Sequence, residues 1–180
     1  TMALLRNSEG IEREIQTDPL TNYNVFVLDQ NLKNNSYVTL INTTVLRSGS
    51  DYDANVTGAV IGMRNKKNTY EVRGSGALSQ KYFTDNTDLG HKFNVNLRKT
   101  SGNLNMGIFY GEESDTYDPN DLGFLYNNNE RSVETWAEYN VYKPFWKFNR
   151  MGGGLWMQYA MLYKPAVFTE YGVNSWLWAE

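Results

Sequence analysis

A chain of 180 residues with 41% hydrophobic side chains is long enough to bury a core, and its mean hydropathy of -0.58 without any run of about 20 apolar residues excludes a transmembrane helix. A net charge of -3 and a pI near 5.3 give no basic footprint for a phosphate backbone, so no nucleic acid partner is expected; without cysteine there is neither a disulfide framework nor thiol catalysis. Low hydropathy leaves a membrane β-barrel open, because barrel strands alternate lipid-facing and water-facing residues and window averages cancel.

In chain order, residues 1–21 read as a lead-in segment. Ile11-Glu12-Arg13-Glu14-Ile15 suits either one short amphipathic helical turn or an extended lead-in, and Asp18-Pro19 stops it. Thr1 to Gly10 lacks a basic start followed by an apolar core, so an exported protein would begin ahead of Thr1. Residues 22–180 then alternate polar and apolar side chains, as in Lys92-Phe93-Asn94-Val95-Asn96-Leu97-Arg98, resuming at Leu104, Met106, Ile108 and Tyr110 after a Ser101-Gly102 turn. A period of two means extended strands with one face in oil and one in water. Nine strands are predicted, at 23–29, 37–46, 54–63, 69–80, 91–99, 104–110, 132–142, 155–162 and 167–178. The fold class is therefore all-β, an antiparallel up-and-down transmembrane β-barrel in part.

The connections sort onto two ends. Segments 30–35, 65–68, 100–103 and 143–153 fall at one, and 47–53, 81–90, the long acidic 111–131 and 163–166 at the other. Short turns on one rim and longer loops on the other organise outer-membrane barrels, although 143–153 is long and 163–166 short for that scheme. Strands of about ten residues at a tilt near 40° rise about 25 Å, enough to cross an outer-membrane apolar band.

Charges recur in mid-strand on the polar face, at Arg73, Arg98, Glu134 and Glu138, where a water-filled or charge-paired lumen accepts them. Aromatic side chains collect towards strand ends. Tyr142, Phe145, Trp146, Phe148, Trp176 and Trp178 are the candidate membrane-interface girdle; the competing expectation is an aromatic cluster at the end of a protein core. Gly58, Gly62, Gly74 and Gly76 permit a strongly coiled sheet or packing against bulky neighbours.

The segments Asn22-Tyr23-Asn24-Val25, Asp29-Gln30-Asn31-Leu32-Lys33-Asn34-Asn35, Asp53-Ala54-Asn55-Val56-Thr57, Asn65-Lys66-Lys67-Asn68-Thr69-Tyr70, Asp118-Pro119-Asn120-Asp121-Leu122-Gly123-Phe124-Leu125 and Tyr142-Lys143-Pro144-Phe145 resemble a family of bacterial outer-membrane proteins. In that family an amino-terminal domain similar to carbohydrate-binding family 9 precedes a large β-barrel of unassigned function. The resemblance implies an internal piece of a longer barrel in the bacterial outer membrane, and an odd strand number fits a piece. It supplies no catalytic residues.

Chemistry-bearing clusters are few. Glu112, Glu113, Asp115, Asp118 and Asp121 form the dense oxygen-ligand cluster, a weak calcium candidate whose spacing is not that of an EF-hand, and solvated acidic loops are commoner. Glu134 and Glu138 share a face about 13 Å apart along the strand, beyond the roughly 5 to 9.5 Å of glycosidase carboxylate pairs. His91 is the single histidine and reads as a rim residue, and Gly152-Gly153-Gly154 reads as a turn. No catalytic residue and no cofactor beyond that calcium is expected, although an outer-membrane hydrolase stays open as a third reading that requires a convergent acidic pair in the lumen. The expected function is a barrel segment serving as channel, transporter or surface scaffold, linked through the resemblance to carbohydrate uptake, with the lipid bilayer and glycans or other outer-membrane subunits as partners. The alternative is a soluble β-sandwich or small barrel that binds glycans through Tyr and Trp, which requires Val95, Leu97, Met106 and Ile108 to be buried.

Overall fold

The computed structural model describes residues 2–6, 10, 12–16, 18–49, 51–144 and 146–180. In the lead-in, strands β1 (Met2–Arg6) and β2 (Glu12–Gln16) pair antiparallel, with Gly10 at φ +81° between them. Of the two expected forms the extended one is present and the helical turn is not. So short a segment cannot repay helix nucleation, whereas a facing strand satisfies its backbone at once.

The nine expected strands all form: β3 (Thr21–Leu32), β4 (Ser36–Arg47), β5 (Asp53–Arg64), β6 (Tyr70–Tyr82), β7 (Thr87–Lys99), β8 (Leu104–Glu113), β9 (Glu130–Val141), β10 (Met151–Leu162) and β11 (Phe168–Ala179). They make one sheet in which every strand pairs antiparallel with its neighbours in sequence, from β3 to β11. The described residues contain no helix. With 10 to 13 residues each, these strands are about twice the usual length of five or six. Turns at 33–35, 65–69, 100–103 and 142–150 lie at one end, and those at 48–52, 83–86, 114–129 and 163–167 at the other. Gly102 adopts φ +84° in its turn, a conformation that side chains with a Cβ resist.

Two expectations fail in β10. Gly152, Gly153 and Gly154 are strand residues, not a turn, and the strand starts four residues before the expected Leu155. The reason lies across the strand pair: Trp178, Leu177 and Trp176 of β11 occupy the space that side chains at Gly152, Gly153 and Gly154 would need. Elsewhere Gly62 makes room for the Tyr37 ring, which is packing against a bulky neighbour.

Register sets two faces, since directly paired residues share a side. One face carries Arg64, Glu71, Arg73, Arg98, Glu113, Glu134 and Glu138, and is called here the charged face. The other carries Val72, Phe93, Val95, Leu97, Met106, Ile108, Val133, Tyr139, Leu155 and Tyr171. From β6 to β10 every strongly exposed large apolar side chain lies on this second, apolar face. Val95, Leu97, Met106 and Ile108 are 40, 46, 44 and 48% exposed, and among the described residues no second sheet packs on them. Among the described residues, neither β3 nor β11 has a partner strand on its outer side.

Register is testable directly, because the chain has no cysteine. Cysteines introduced together at Val95 and Tyr110, which are Cα partners, should oxidise to a disulfide. A pair at 95 and 109, whose side chains leave opposite faces, should stay reduced under the same oxidant, as read by non-reducing mass spectrometry.

Candidate functional site

The charged face divides into three sectors. In the first, Glu71 is 4% exposed and accepts from three guanidiniums: Arg73 Nε at 2.6 Å, Arg98 at 2.6 Å and Arg64 at 3.1 Å. Arg64, Glu71 and Arg98 are one cross-strand row of β5, β6 and β7, and Arg73 stands two residues along. Charge-assisted bonds of this kind hold a carboxylate that burial would otherwise penalise. Three cations against one anion leave this sector positive.

The second sector is the segment 114–129 laid back over β7, β6, β5 and β4. Each anchor reaches a further strand. Ser114 N donates to His91 O at 2.9 Å and Thr116 Oγ1 to Leu89 O at 2.6 Å, both on β7. Asp118 N donates to Ser79 Oγ at 3.0 Å, and the Asp118 carboxylate pairs with Lys81, both on β6. Asp121 pairs with Arg47 on β4 and accepts from Tyr52 Oη at 3.1 Å, while the Arg47 guanidinium lies 4.6 Å above the Tyr52 ring. Gly90 makes the crossing feasible, because a Cβ there would overlap the Tyr117 backbone. Beneath the segment, Ile41, Val56 and Val60 from the strands face Tyr117, Pro119 and Leu125 around a cavity of about 320 Å³. The crossing begins on β7 with neutral hydrogen bonds, is pinned over β6 and β4 by the Asp118 and Asp121 ion pairs, and rests Tyr117, Pro119 and Leu125 on apolar side chains, so it is docked by both polar and apolar forces.

The third sector spans β8 to β11. Glu134 accepts from Trp156 Nε1 at 3.2 Å, and Glu138 accepts from Asn140 Nδ2. The two carboxylates remain on separate cross-strand rows, opposite Gln158 and Gly154. Arg73 and Arg98 are thus brought together through Glu71, whereas Glu134 and Glu138 are not brought together.

The calcium candidates disperse. Glu112 and Glu113 leave opposite faces of β8; the first takes Arg131 at 2.7 Å and His91 at 3.2 Å, the second Lys92 at 2.6 Å. Asp115 lies 3.8 Å from Lys164, and Asp118 and Asp121 serve Lys81 and Arg47. No group of three or more acidic or histidine side chains among the described residues converges as a metal site. His91 lies within β7, four residues past its start at Thr87, and with Glu112, Arg131 and Tyr163 it forms a polar cluster on the apolar face towards the end that carries 114–129, as does the Asn42, Thr44, Asn55 and Thr57 hydrogen-bond ladder.

Of the candidate girdle, Tyr142 and Trp146 are exposed, and Trp146 meets Phe148 edge-on at 5.8 Å in the 142–150 turn. Phe145 lies outside the described residues. Trp176 and Trp178 differ from the rest: the register turns them to the charged face, with Leu177 between them on the apolar face. Sequence reasoning did not find Arg64 and Glu71 as a hub, nor Arg47, Tyr52 and Lys81 as anchors. Cross-strand pairing reveals the first, and the docking of 114–129 reveals the others.

A family model described as a domain of unknown function (DUF5916) matches residues 1–180. No curated protein and no solved structure matches the chain.

Replacing Asp121 by Asn strands Arg47 and should weaken docking of 114–129 by about 1–3 kcal/mol. Gly90→Ala should release the same segment sterically, and limited proteolysis within 114–129 should quicken in both variants. Burial alone would raise the Asp118 carboxyl, but the Lys81 ammonium and the Asn120 backbone amide hold it below its ordinary value. A depressed native value stabilises docking above the unfolded pKa, near 4, and loses that stabilisation as pH falls through the native one. Nicking of 114–129 by an acid-active protease should therefore be flat from neutral pH to about 4 and rise below it.

Proposed function

The chain belongs to the DUF5916 family, and we propose that it is a section of an outer-membrane β-barrel that serves as a channel, transporter or surface scaffold. The observation that carries this reading is the uncovered apolar face of β6 to β11, bounded by charged and hydrogen-bonding rows. On β7 the apolar run Phe93, Val95 and Leu97 lies between His91 and Lys99, a step of eight residues that rises about 20 Å at a 40° tilt. Exposed Tyr142 and Trp146 and part-exposed Phe148, with Lys143 and Lys147, suit headgroup depth. The charged face then lines the lumen, and segment 114–129 narrows it from within. Open edges at β3 and β11 would leave two rows of unpaired backbone groups, intolerable in hydrocarbon, so in this reading they pair with further strands.

A soluble glycan-binding protein is the second reading, and the tryptophans of the charged face favour it. It needs a protein layer over Val95, Leu97, Met106 and Ile108, which these strands do not provide.

The full-length protein should fractionate with outer membranes, need detergent to stay monodisperse, and run faster on gels when unheated than when boiled. In planar bilayers the Gly90→Ala variant should conduct more than the parent, since the segment in the lumen is released. A protein that is monodisperse in plain buffer and unchanged by heating would overturn the proposal.

A further inference from the structure

Four of the five tryptophans lie on the charged face of β9, β10 and β11, and each covers a glycine of an adjoining strand. A Cβ added at Gly107 would meet Trp136 Nε1 at 2.8 Å, one at Gly152 would meet Trp178 Nε1 at 2.8 Å, and one at Gly172 would meet Trp156 at 3.0 Å. At Gly154 it would overlap the Trp176 ring outright. Glycine is thus required wherever an indole is laid down, which fixes the rings against the backbone. Trp136, Trp156 and Trp176 are part-exposed, and Trp178 is exposed.

We infer that this sector is a binding track for a neutral oligosaccharide chain. The rings run in a row along and across the strands: Trp178 and Trp176 stand two residues apart at about 6.7 Å along β11, Trp156 lies one strand over and two residues further along, a diagonal of about 8 Å, and Trp136 is directly across from Trp156. A row of flat apolar surfaces matches a ligand with repeated apolar faces; a compact cation is held by rings that surround one point. Beside the row stand Glu134 and Glu138 as acceptors and Gln158 and Asn174 as combined donors and acceptors, the set that pairs with vicinal hydroxyls. A second observation points the same way. Asn140, only 4% exposed, lies beside Gly152 and Trp178, and its side-chain carbonyl has no hydrogen-bond partner among the described residues. A buried acceptor left unmade is costly, and a ligand hydroxyl is a donor of the right kind. The inference rests on the barrel reading in one respect, that the charged face is a lumen through which the ligand passes.

The test is a fluorescence titration of the full-length protein in detergent with cellohexaose and maltohexaose, and with choline as the cationic comparison. The Trp146→Phe background removes the one indole of these 180 residues that lies off the track, and the tryptophan-to-alanine variants separate the track's signal from that of any other indole. At least one hexaose should give a saturable change, weakened tenfold or more by Trp156→Ala or Trp176→Ala and largely kept by Trp156→Phe, with choline silent. An unheated fast-running gel band shows that each variant is folded. A folded protein silent to both hexaoses, one that takes up choline instead, or tryptophan variants that bind as the parent does would each overturn the track. Failure of the barrel reading would appear separately, as loss of heat-modifiable migration in a protein that still binds sugar.

Discussion

Among the described residues, nothing of its own chain packs on the apolar face of this sheet. Fully burying a side chain such as Leu or Ile gains roughly 1.5–3 kcal/mol, and more than a dozen large apolar side chains are left open on β6 to β11. In water that deficit would rival the whole stability of a domain, about 5–15 kcal/mol. A second constraint follows from the backbone. Two edges, β3 and β11, leave a row of donors and acceptors unmatched, which no hydrocarbon environment tolerates. The proposed arrangement, a closed sheet whose outside is wet by lipid tails, would meet both deficits.

The opposite face is built by local matching between strands. The Glu71 hub concentrates positive charge over β5 to β7, the segment 114–129 covers the Val and Ile patch of β4 and β5, and acid and indole side chains share β9 to β11. Glycine serves opposite ends here. At Gly90 it admits a crossing backbone, and at Gly107, Gly152, Gly154 and Gly172 it admits an aromatic ring. A face with a basic hub at one end of β5 to β7, a pinned segment over the other end of β4 to β7, and an acidic aromatic sector on β9 to β11 is differentiated, which a mere structural wall does not need to be.

The number of strands, their alternation and the Ser101-Gly102 turn were legible in the sequence because each is a property of a few consecutive residues. Arg73 and Glu134 could each be placed on the polar side of its own strand by parity, and the register puts those sides on one face. What parity cannot supply is the offset between strands. Glu71 gathers Arg64, Arg73 and Arg98 only because of the β5–β6 and β6–β7 registers, and Trp176 and Trp178 were grouped with exposed aromatics because their side of β11 was not fixed. The run Gly152-Gly153-Gly154 looked like a turn since the bulk that supports it as strand comes from another strand. The acidic cluster at 112–121 looked like a ligand set since its cationic partners, Arg47, Lys81 and Arg131, are far away in sequence or on a different strand.

The most direct measurement is a spin-label scan along β7 in the full-length protein reconstituted in lipid, one nitroxide at a time from 92 to 98. Collision with oxygen, which concentrates in hydrocarbon, should peak at Phe93, Val95 and Leu97, and collision with a water-soluble nickel chelate at Lys92, Asn94, Asn96 and Arg98. Labels at 93, 95 and 97 that meet neither reagent, as in a packed protein interior, would contradict lipid as the cover of that face.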